Sequence, residues 1–173
     1  AVDEFFLVDA IELFNSGIIN TCNGNNAGNL YFSYKIPPGP GQTLPNLIID
    51  LVYPLRYDEA LVFAGKTPPE MKYFSYRSFM VYRYIPGINN YKKIYASLGD
   101  TINHLTISTQ GTPGGEGTWP FSQDAIIITT ADENTDSIIR DIAENAGYPP
   151  VIINTDILPS PILNMGLHPG CDY

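Results

Sequence analysis

Residues 122–158, SQDAIIITTADENTDSIIRDIAENAGYPPVIINTDIL, restrict the possible folds more than any other part of the chain. AIIITTA and PVIINTDI are short, continuous Ile- and Val-rich runs, the pattern of strands that are covered on both faces or lie centrally in a sheet. Between them ENTDSIIRDIAENAG repeats apolar residues at helical spacing, with Ile138, Ile139, Ile142, Ala143 and Ala146 on one face. Thr130 and Glu133 have the spacing of a capping box, and Gly147 with Pro149 supplies a stop. Strand, helix and strand in that order predict a β-α-β unit.

The rest of the chain predicts mostly short strands. LYFSYKI, NLIIDLVYPL, EALVFAG, YKKIYASLG and NHLTIST are β-branched and aromatic runs separated by Pro- and Gly-rich turns such as PPGPGQTLP and QGTPGGEGTWP. KYFSYRSFMVYRY predicts a longer strand, with Tyr73, Ser75, Arg77, Phe79, Val81 and Arg83 on one face and Phe74, Tyr76, Ser78, Met80, Tyr82 and Tyr84 on the other. The opening VDEFFLVDAIELFNSG puts Phe6, Ala10, Leu13 and Phe14 at helical spacing and stops at Gly17, which predicts a short helix. The expected fold class is therefore α+β: a mixed sheet of about seven strands, an N-terminal helix, and the β-α-β unit near the C-terminus. A length of 173 residues suits a single domain over 1–173.

Charge narrows the partners. Nine Lys and Arg against eighteen Asp and Glu give a net charge of −9, which repels phosphate backbones and anionic headgroups, so nucleic acid is not expected as a partner. No apolar run approaches the ~18 residues needed to cross a bilayer, so no membrane span is expected. Only 16% of residues are charged, while Tyr, Asn and Gly are plentiful, and the chain opens on Ala1 rather than Met. Those features fit an extracellular or periplasmic protein from which a leader was removed. Cys22 and Cys171 lie near opposite ends; either they pair in an oxidising compartment, or they stay separate thiols, or they pair with another chain.

Several kinds of chemistry are disfavoured. A phosphate site needs glycines at the turn into the helix, and TTADENTD offers carboxylates there and no glycine. Asp132, Glu133 and Asp136 lack the alternating ligands and turn glycine of a calcium loop. His104 and His168 fall in no metal-ligand spacing, no nucleophile elbow is present, and no cofactor is expected. Two constellations remain. Asp100 and His104 in SLGDTINH pair a carboxylate with an imidazole, as proton transfer requires, although the same residues suit a turn and a hydrogen-bonded structural histidine. Arg77 and Arg83, with Tyr73, Tyr76 and Tyr82, would hold a carboxylate or stack on a sugar or aromatic ring, unless carboxylates on neighbouring strands neutralise them.

At YDEALVFAGKTPPEMKYFSYRSF, IYASLGDTINHLTI, FSQDAIIITTADENTDSIIRDIAENAGYP and IINTDILPSPILNMGL, the chain resembles a group of extracytoplasmic proteins of uncharacterised function. The likeness spans roughly residues 56–167. It implies that this chain is the N-terminal portion of a longer processed protein, with a companion chain completing the core, and it assigns no catalytic residue. Two functions are expected as alternatives. One is an extracytoplasmic enzyme subunit in which Arg77 orients a small organic substrate while His104 and Asp100 move a proton. The other is a non-catalytic binding or structural module that uses the same tyrosines and arginines to recognise a partner chain or a glycan. A companion chain or self-association is expected in both, because central-type strands need neighbours.

Overall fold

Asp124–Thr130 is the strand at the centre of the larger sheet described after residue 54. The structure is a computed structural model describing residues 5–7, 10–17, 32–34, 53, 55, 56, 58–98, 100–111 and 119–158. The chain divides into two compact units, 1–54 and 55–173.

The first unit contains β1 (Phe5–Leu7), α1 (Ala10–Asn15) and β2 (Phe32–Tyr34). β1 pairs antiparallel with β2, Phe5 opposite Tyr34. The helix predicted from VDEFFLVDAIELFNSG is thus corrected: Phe5–Leu7 within it are a strand. Among its described residues, the six of Ala10–Asn15 are helical, and Gly17 follows in the left-handed conformation at φ +75°. The Phe5-Phe6-Leu7 triplet is a good strand former. Six residues lie far below the ~12–15 at which a helix becomes marginally stable alone, so α1 depends on its surroundings.

The second unit holds β3 (Ala60–Lys66), β4 (Ser75–Tyr76), β5 (Phe79–Ile85), β6 (Asn90–Ser97), β7 (Ile102–Asn103), β8 (Asp124–Thr130), α2 (Glu133–Asn145) and β9 (Ile153–Ile157). The seven-stranded mixed sheet is also corrected. Three small sheets form instead: β3-β8-β9, β4-β7 and β5-β6. In the first, β8 is central, antiparallel to β3 and parallel to β9, with Ile126 opposite Ile153 and Thr130 opposite Ile157.

Alternation along β8 explains its uninterrupted apolar run. Ile126 and Ile128 pack with Ile152, Ile153, Ala60 and the α2 residues Ile139 and Ala143. Ala125 and Ile127 point the other way, into Phe74 and Ile107, with Phe63, Tyr76, Ile102 and Phe121 around them. β4 and β7 therefore cover one face and α2 the other. Each buried Ile contributes roughly 1.5–3 kcal/mol of transfer free energy. Asn154 is the buried polar link between layers: its amide oxygen accepts from the Ser108 amide at 2.7 Å, and its amide nitrogen donates to the carbonyls of Ser108, Ile126 and Ile152.

The expected Thr130–Glu133 capping box does not form. Thr130 is still strand, fully buried, and its hydroxyl donates to the Glu59 carbonyl at 2.8 Å. Asp132 caps the helix, accepting from the Thr135 amide at 2.9 Å and the Thr135 hydroxyl at 2.8 Å. Those donors, the hydroxyl foremost, hold the Asp132 carboxyl below its usual range. The helix ends at Gly147, φ +96°, where a Cβ would be strained. Its predicted apolar face is only half covered: Ile139 and Ala143 meet the sheet, but Ile138 and Ile142 are 51% and 61% exposed.

The strand predicted over KYFSYRSFMVYRY is interrupted at Arg77 and Ser78. Ser78 spends its carbonyl on the Leu98 amide at 3.0 Å and its hydroxyl on Asp156 at 2.6 Å, so the chain changes partners there, leaving β4 on β7 and sending β5 to β6. β5 and β6 form a hairpin with a bulge between Met80 and Tyr82. NHLTIST, predicted as a strand, turns at His104–Thr106 after its first residue, because Asn103 Oδ1 accepts from the Leu105 amide at 2.8 Å and bends the chain. The strand expected at NLIIDLVYPL lies outside the described residues apart from Tyr53 and Leu55, and Cys22, His168, Cys171 and residues 112–118 lie outside them too.

The two-sided burial of β8 and the half-covered helix give a paired expectation. Ile128→Ala is expected to cost about 2–5 kcal/mol in urea unfolding, the usual range for a buried Ile. Ile138→Ala, at an exposed helix position, is expected to stay within about 0.5 kcal/mol of wild type. Equal losses at the two positions would refute this assignment of α2's inner face.

Candidate functional site

No Asp or Glu occurs between Glu70 and Asp100, and five of the nine cations and eight aromatic residues fall in that gap. The remaining four cations share the rest of the chain with all eighteen carboxylates, so residues 71–99 carry +5 and the remainder −14. This acid-free stretch contains β4, β5 and β6. It is a simple sequence signal, and it adds Lys72, Lys92 and Lys93 to the residues that motif reading singles out.

Arg83 and Lys92 face each other directly across the β5-β6 hairpin. Like charges placed opposite one another destabilise a ribbon, by some tenths of a kcal/mol. No carboxylate among the described residues reaches either group, nor Arg77. The cross-strand neutralisation that would make them merely structural is thus missing from the described part. Phe79, 46% exposed, lies four residues before Arg83 on β5, and Val81 between them on the same side is buried. Arg83 is half-buried and Lys92 exposed. Desolvation lowers the neighbouring Lys93 ammonium below its ordinary value.

The residues singled out from sequence do not converge. Arg77 sits exposed in the break between β4 and β5, so it does not share a strand with Arg83. Tyr76 belongs to the core: it packs against Phe74 at 6.0 Å and Phe63 at 5.5 Å, and burial pushes its phenol up to about 12. Tyr82 is half-buried opposite Lys93. Tyr73 is 52% exposed and stands edge-on to His104, ring centroids 5.4 Å apart.

His104 lies in the turn after β7, its amide donating to the Phe74 carbonyl at 3.3 Å. Its Nδ1 is buried without a hydrogen-bond partner, so Asp100, which is exposed, does not hold that nitrogen. The proton-transfer pair lacks the contact on which it would depend.

Asp156 is a carboxylate that motif reading passes over. It stands near the end of β9 and accepts from Ser78 Oγ at 2.6 Å and Thr129 Oγ1 at 3.3 Å. Burial raises its carboxyl above the ordinary value, against the pull of those two hydroxyls. An acidic residue inside the strand run IINTDI was the available signal. The contact fastens the β4-β5 junction to the central sheet.

A half-open cavity of about 170 Å³ is lined by Ala64, Gly65, Asp124, Ala125, Ile126, Tyr148 and Ile152. It is small beside the roughly 300–1,000 Å³ of ordinary ligand pockets, and none of the residues singled out from sequence borders it. Among the described residues no group of three or more His, Cys, Asp or Glu is arranged to hold a metal ion, and no helix is long and apolar enough to cross a membrane. Comparison with protein families, curated proteins and solved structures gave no match. The kinship suggested by the YFSYRSF, SLGDTIN and ITTADENTD motifs gains no support there and transfers no residue role.

Asp156 generates a pH expectation whose sign follows from which state holds the proton. With its folded pKa raised, the native state binds the proton more tightly than the unfolded chain, so stability from this group is greatest in acid and is lost as pH rises from the ordinary carboxylate range through the folded pKa. Asp156→Asn keeps an oxygen for Ser78 and Thr129 but cannot ionise. Relative to wild type, its urea midpoint is expected to improve as pH goes from about 4 to about 7. A constant difference across that range would contradict the raised pKa.

Proposed function

We propose that this chain is an extracytoplasmic, non-catalytic binding module whose acid-free β5-β6 ribbon takes hold of an acidic protein surface. The observation that carries the proposal is the opposed Arg83–Lys92 pair, two cations held side by side without a counter-charge among the described residues, in a chain of net charge −9. An acidic partner would relieve that repulsion, and guanidinium groups are among the side chains that dominate interface hot spots. The low charge density and neutral-polar composition support the extracytoplasmic setting.

The enzyme alternative is less well served. His104 and Asp100 do not share the hydrogen bond that would orient the imidazole, and Tyr76 is occupied in the core. A glycan would need flat exposed rings to stack on, and of the three tyrosines proposed for that role only Tyr73 is exposed, on the far side of the chain break from Arg83.

Poly-L-glutamate is a defined acidic polypeptide that tests the ribbon directly. The intact chain is expected to bind it at low ionic strength, with affinity falling steeply as salt is added. Arg83→Ala with Lys92→Ala is expected to weaken binding about tenfold or more, because two charge contacts of about 1 kcal/mol each are lost. Titration calorimetry or fluorescence anisotropy would measure both. Absence of binding by the wild type, or binding unchanged in the double variant, would reject the reading.

A further inference from the structure

We infer that the outer edge of β3 pairs antiparallel with the same edge of a second copy, joining two three-stranded sheets into one of six strands. The β5-β6 ribbon takes no part in this contact, so the inference stands apart from the binding reading.

β3 is an edge of the order β3-β8-β9, and its pairing with β8 shows which backbone groups are left over. The register that sets Lys66 opposite Asp124 continues to Thr67 and Gln123, where the Thr67 amide donates to the Gln123 carbonyl at 2.8 Å. Bonded pairs alternate along an antiparallel ladder. Leu61, Phe63 and Gly65 therefore bond to β8, while Ala60, Val62, Ala64 and Lys66 turn their amides and carbonyls outward. Those outward groups have no partner among the described residues. Edges that avoid pairing carry a proline, a bulge or a free charge. Ala60–Lys66 is regular over its whole length and contains no proline, and its one charge, Lys66, is paired with Asp124 at 2.9 Å.

The strand is complementary to itself. A two-fold axis through Phe63 sets Ala60 opposite Lys66, and Val62 opposite Ala64, of the other copy, so outward residues meet outward residues along the whole strand. The pairing is as long as the one β3 makes with β8. Phe63 meets its own copy at a non-bonded pair, where side chains approach most closely and aromatic pairs are favourable. Charge agrees with the antiparallel sense: the Lys66 end of each strand lies against the Asp58–Glu59 end of the other, whereas parallel strands would set like ends together.

Uncovered apolar surface lies at the same edge. Arg140 and Asp136 hold one flank of α2 over β9, Arg140 donating to the Ile153 carbonyl and the Thr155 hydroxyl, and Thr155 donating to Asp136. Ile139 and Ala143 meet the sheet. At 3.6 residues per turn, Ile138 and Ile142 fall on the flank opposite Arg140, the side toward β3, and both are more than half exposed. Val62, opposite Ile128 and so on the face that α2 covers, is 45% exposed. The two-fold axis runs perpendicular to the sheet, so both helices lie on one face and turn their isoleucine flanks toward each other across the paired β3 strands. Val62 of each copy stands opposite Ala64 of the other, whose small side chain leaves room and borders the half-open cavity of about 170 Å³. Main-chain bonding and burial of Val62, Ile138 and Ile142 thus select one partner, through an isologous contact that closes at the dimer.

Sedimentation velocity and amide exchange on the full chain test this. Wild type is expected to show a weight-average mass that rises with concentration to that of a dimer and no further, with dissociation at tens of micromolar, as for small transient interfaces. The exchange pattern is more specific. Between dilute protein and protein that is about nine-tenths dimeric, the amides of Val62, Ala64 and Lys66 are expected to slow about tenfold, while those of Leu61, Phe63 and Gly65, already bonded to β8, change less. Ala64→Pro removes an amide hydrogen that only the dimer uses, and edge strands tolerate proline at such positions. Val62→Lys puts a charge in the seam and leaves the backbone intact. Each substitution acts twice by symmetry, so association about tenfold or more weaker is expected from either. Arg83→Ala with Lys92→Ala is expected to dimerise as wild type does. Circular dichroism melts confirm that each variant is folded, and the exchange measurement on wild type needs no variant. A wild type still monomeric at about 0.5 mM, growth beyond the dimer, or a dimer whose Val62, Ala64 and Lys66 amides exchange as in the monomer would overturn the inference. So would undiminished association of folded Val62→Lys or Ala64→Pro, and loss of association in the Arg83 and Lys92 variant would assign the contact to the ribbon instead.

Discussion

Burial of β8 on both faces is the constraint from which the second unit follows. A strand with Ala125, Ile126, Ile127 and Ile128 in succession cannot lie at a surface, so it must be flanked in plane by β3 and β9 and covered above and below. α2 supplies one cover through Ile139 and Ala143; the short β4-β7 pair supplies the other through Phe74, Tyr76 and Ile102. Asn154 then locks the loop after β7 to the sheet, with two hydrogen bonds to Ser108 and two to the carbonyls of Ile126 and Ile152. The second cover is thin, two residues from each strand, and Asp156 holding Ser78 secures the point at which it passes into the β5-β6 hairpin.

That arrangement separates the parts that stabilise from the part proposed to bind. The aromatic and basic stretch between Glu70 and Asp100 enters the core with Phe74 and Tyr76, then leaves it through Arg77 and Ser78 and projects as a ribbon where Arg83 and Lys92 oppose each other. Met80 and Val81 anchor the near end of this ribbon by burial. Charge repulsion tolerated at one place, in a chain with carboxylates to spare elsewhere, is the kind of local conflict that folding alone does not require.

The β-α-β unit was legible because three independent signals agreed over one stretch: two β-branched runs, a helical period and a glycine stop. The arrangement around it was not. Periodicity cannot show that Ser78 will turn its carbonyl and hydroxyl to Leu98 and Asp156, splitting an otherwise continuous alternating run, nor that Asn103 will bend NHLTIST into a turn. Both breaks come from side-chain and backbone contacts to residues far away in sequence or from a single local hydrogen bond. The amino-terminal segment shows the same limit, since the helical spacing that begins at Phe6 lost there to pairing of Phe5–Leu7 with Phe32–Tyr34 and holds only from Ala10 on. For the site, Arg83 was legible from its type and pattern, but its partner Lys92 emerged only with the hairpin register, and the shared strand face of Arg77 and Arg83 disappeared with the break between them.

The most direct test of the account is a double-mutant cycle on Arg83→Gln and Lys92→Gln, read by urea unfolding of dilute protein at low salt. Two uncompensated cations across a hairpin predict a repulsive coupling of about 0.2–1 kcal/mol, so that either single substitution stabilises and the second adds less, with the coupling fading as salt is raised. A coupling of zero, or single substitutions that destabilise as the loss of an ion pair would, would contradict the claim that this ribbon carries unspent positive charge.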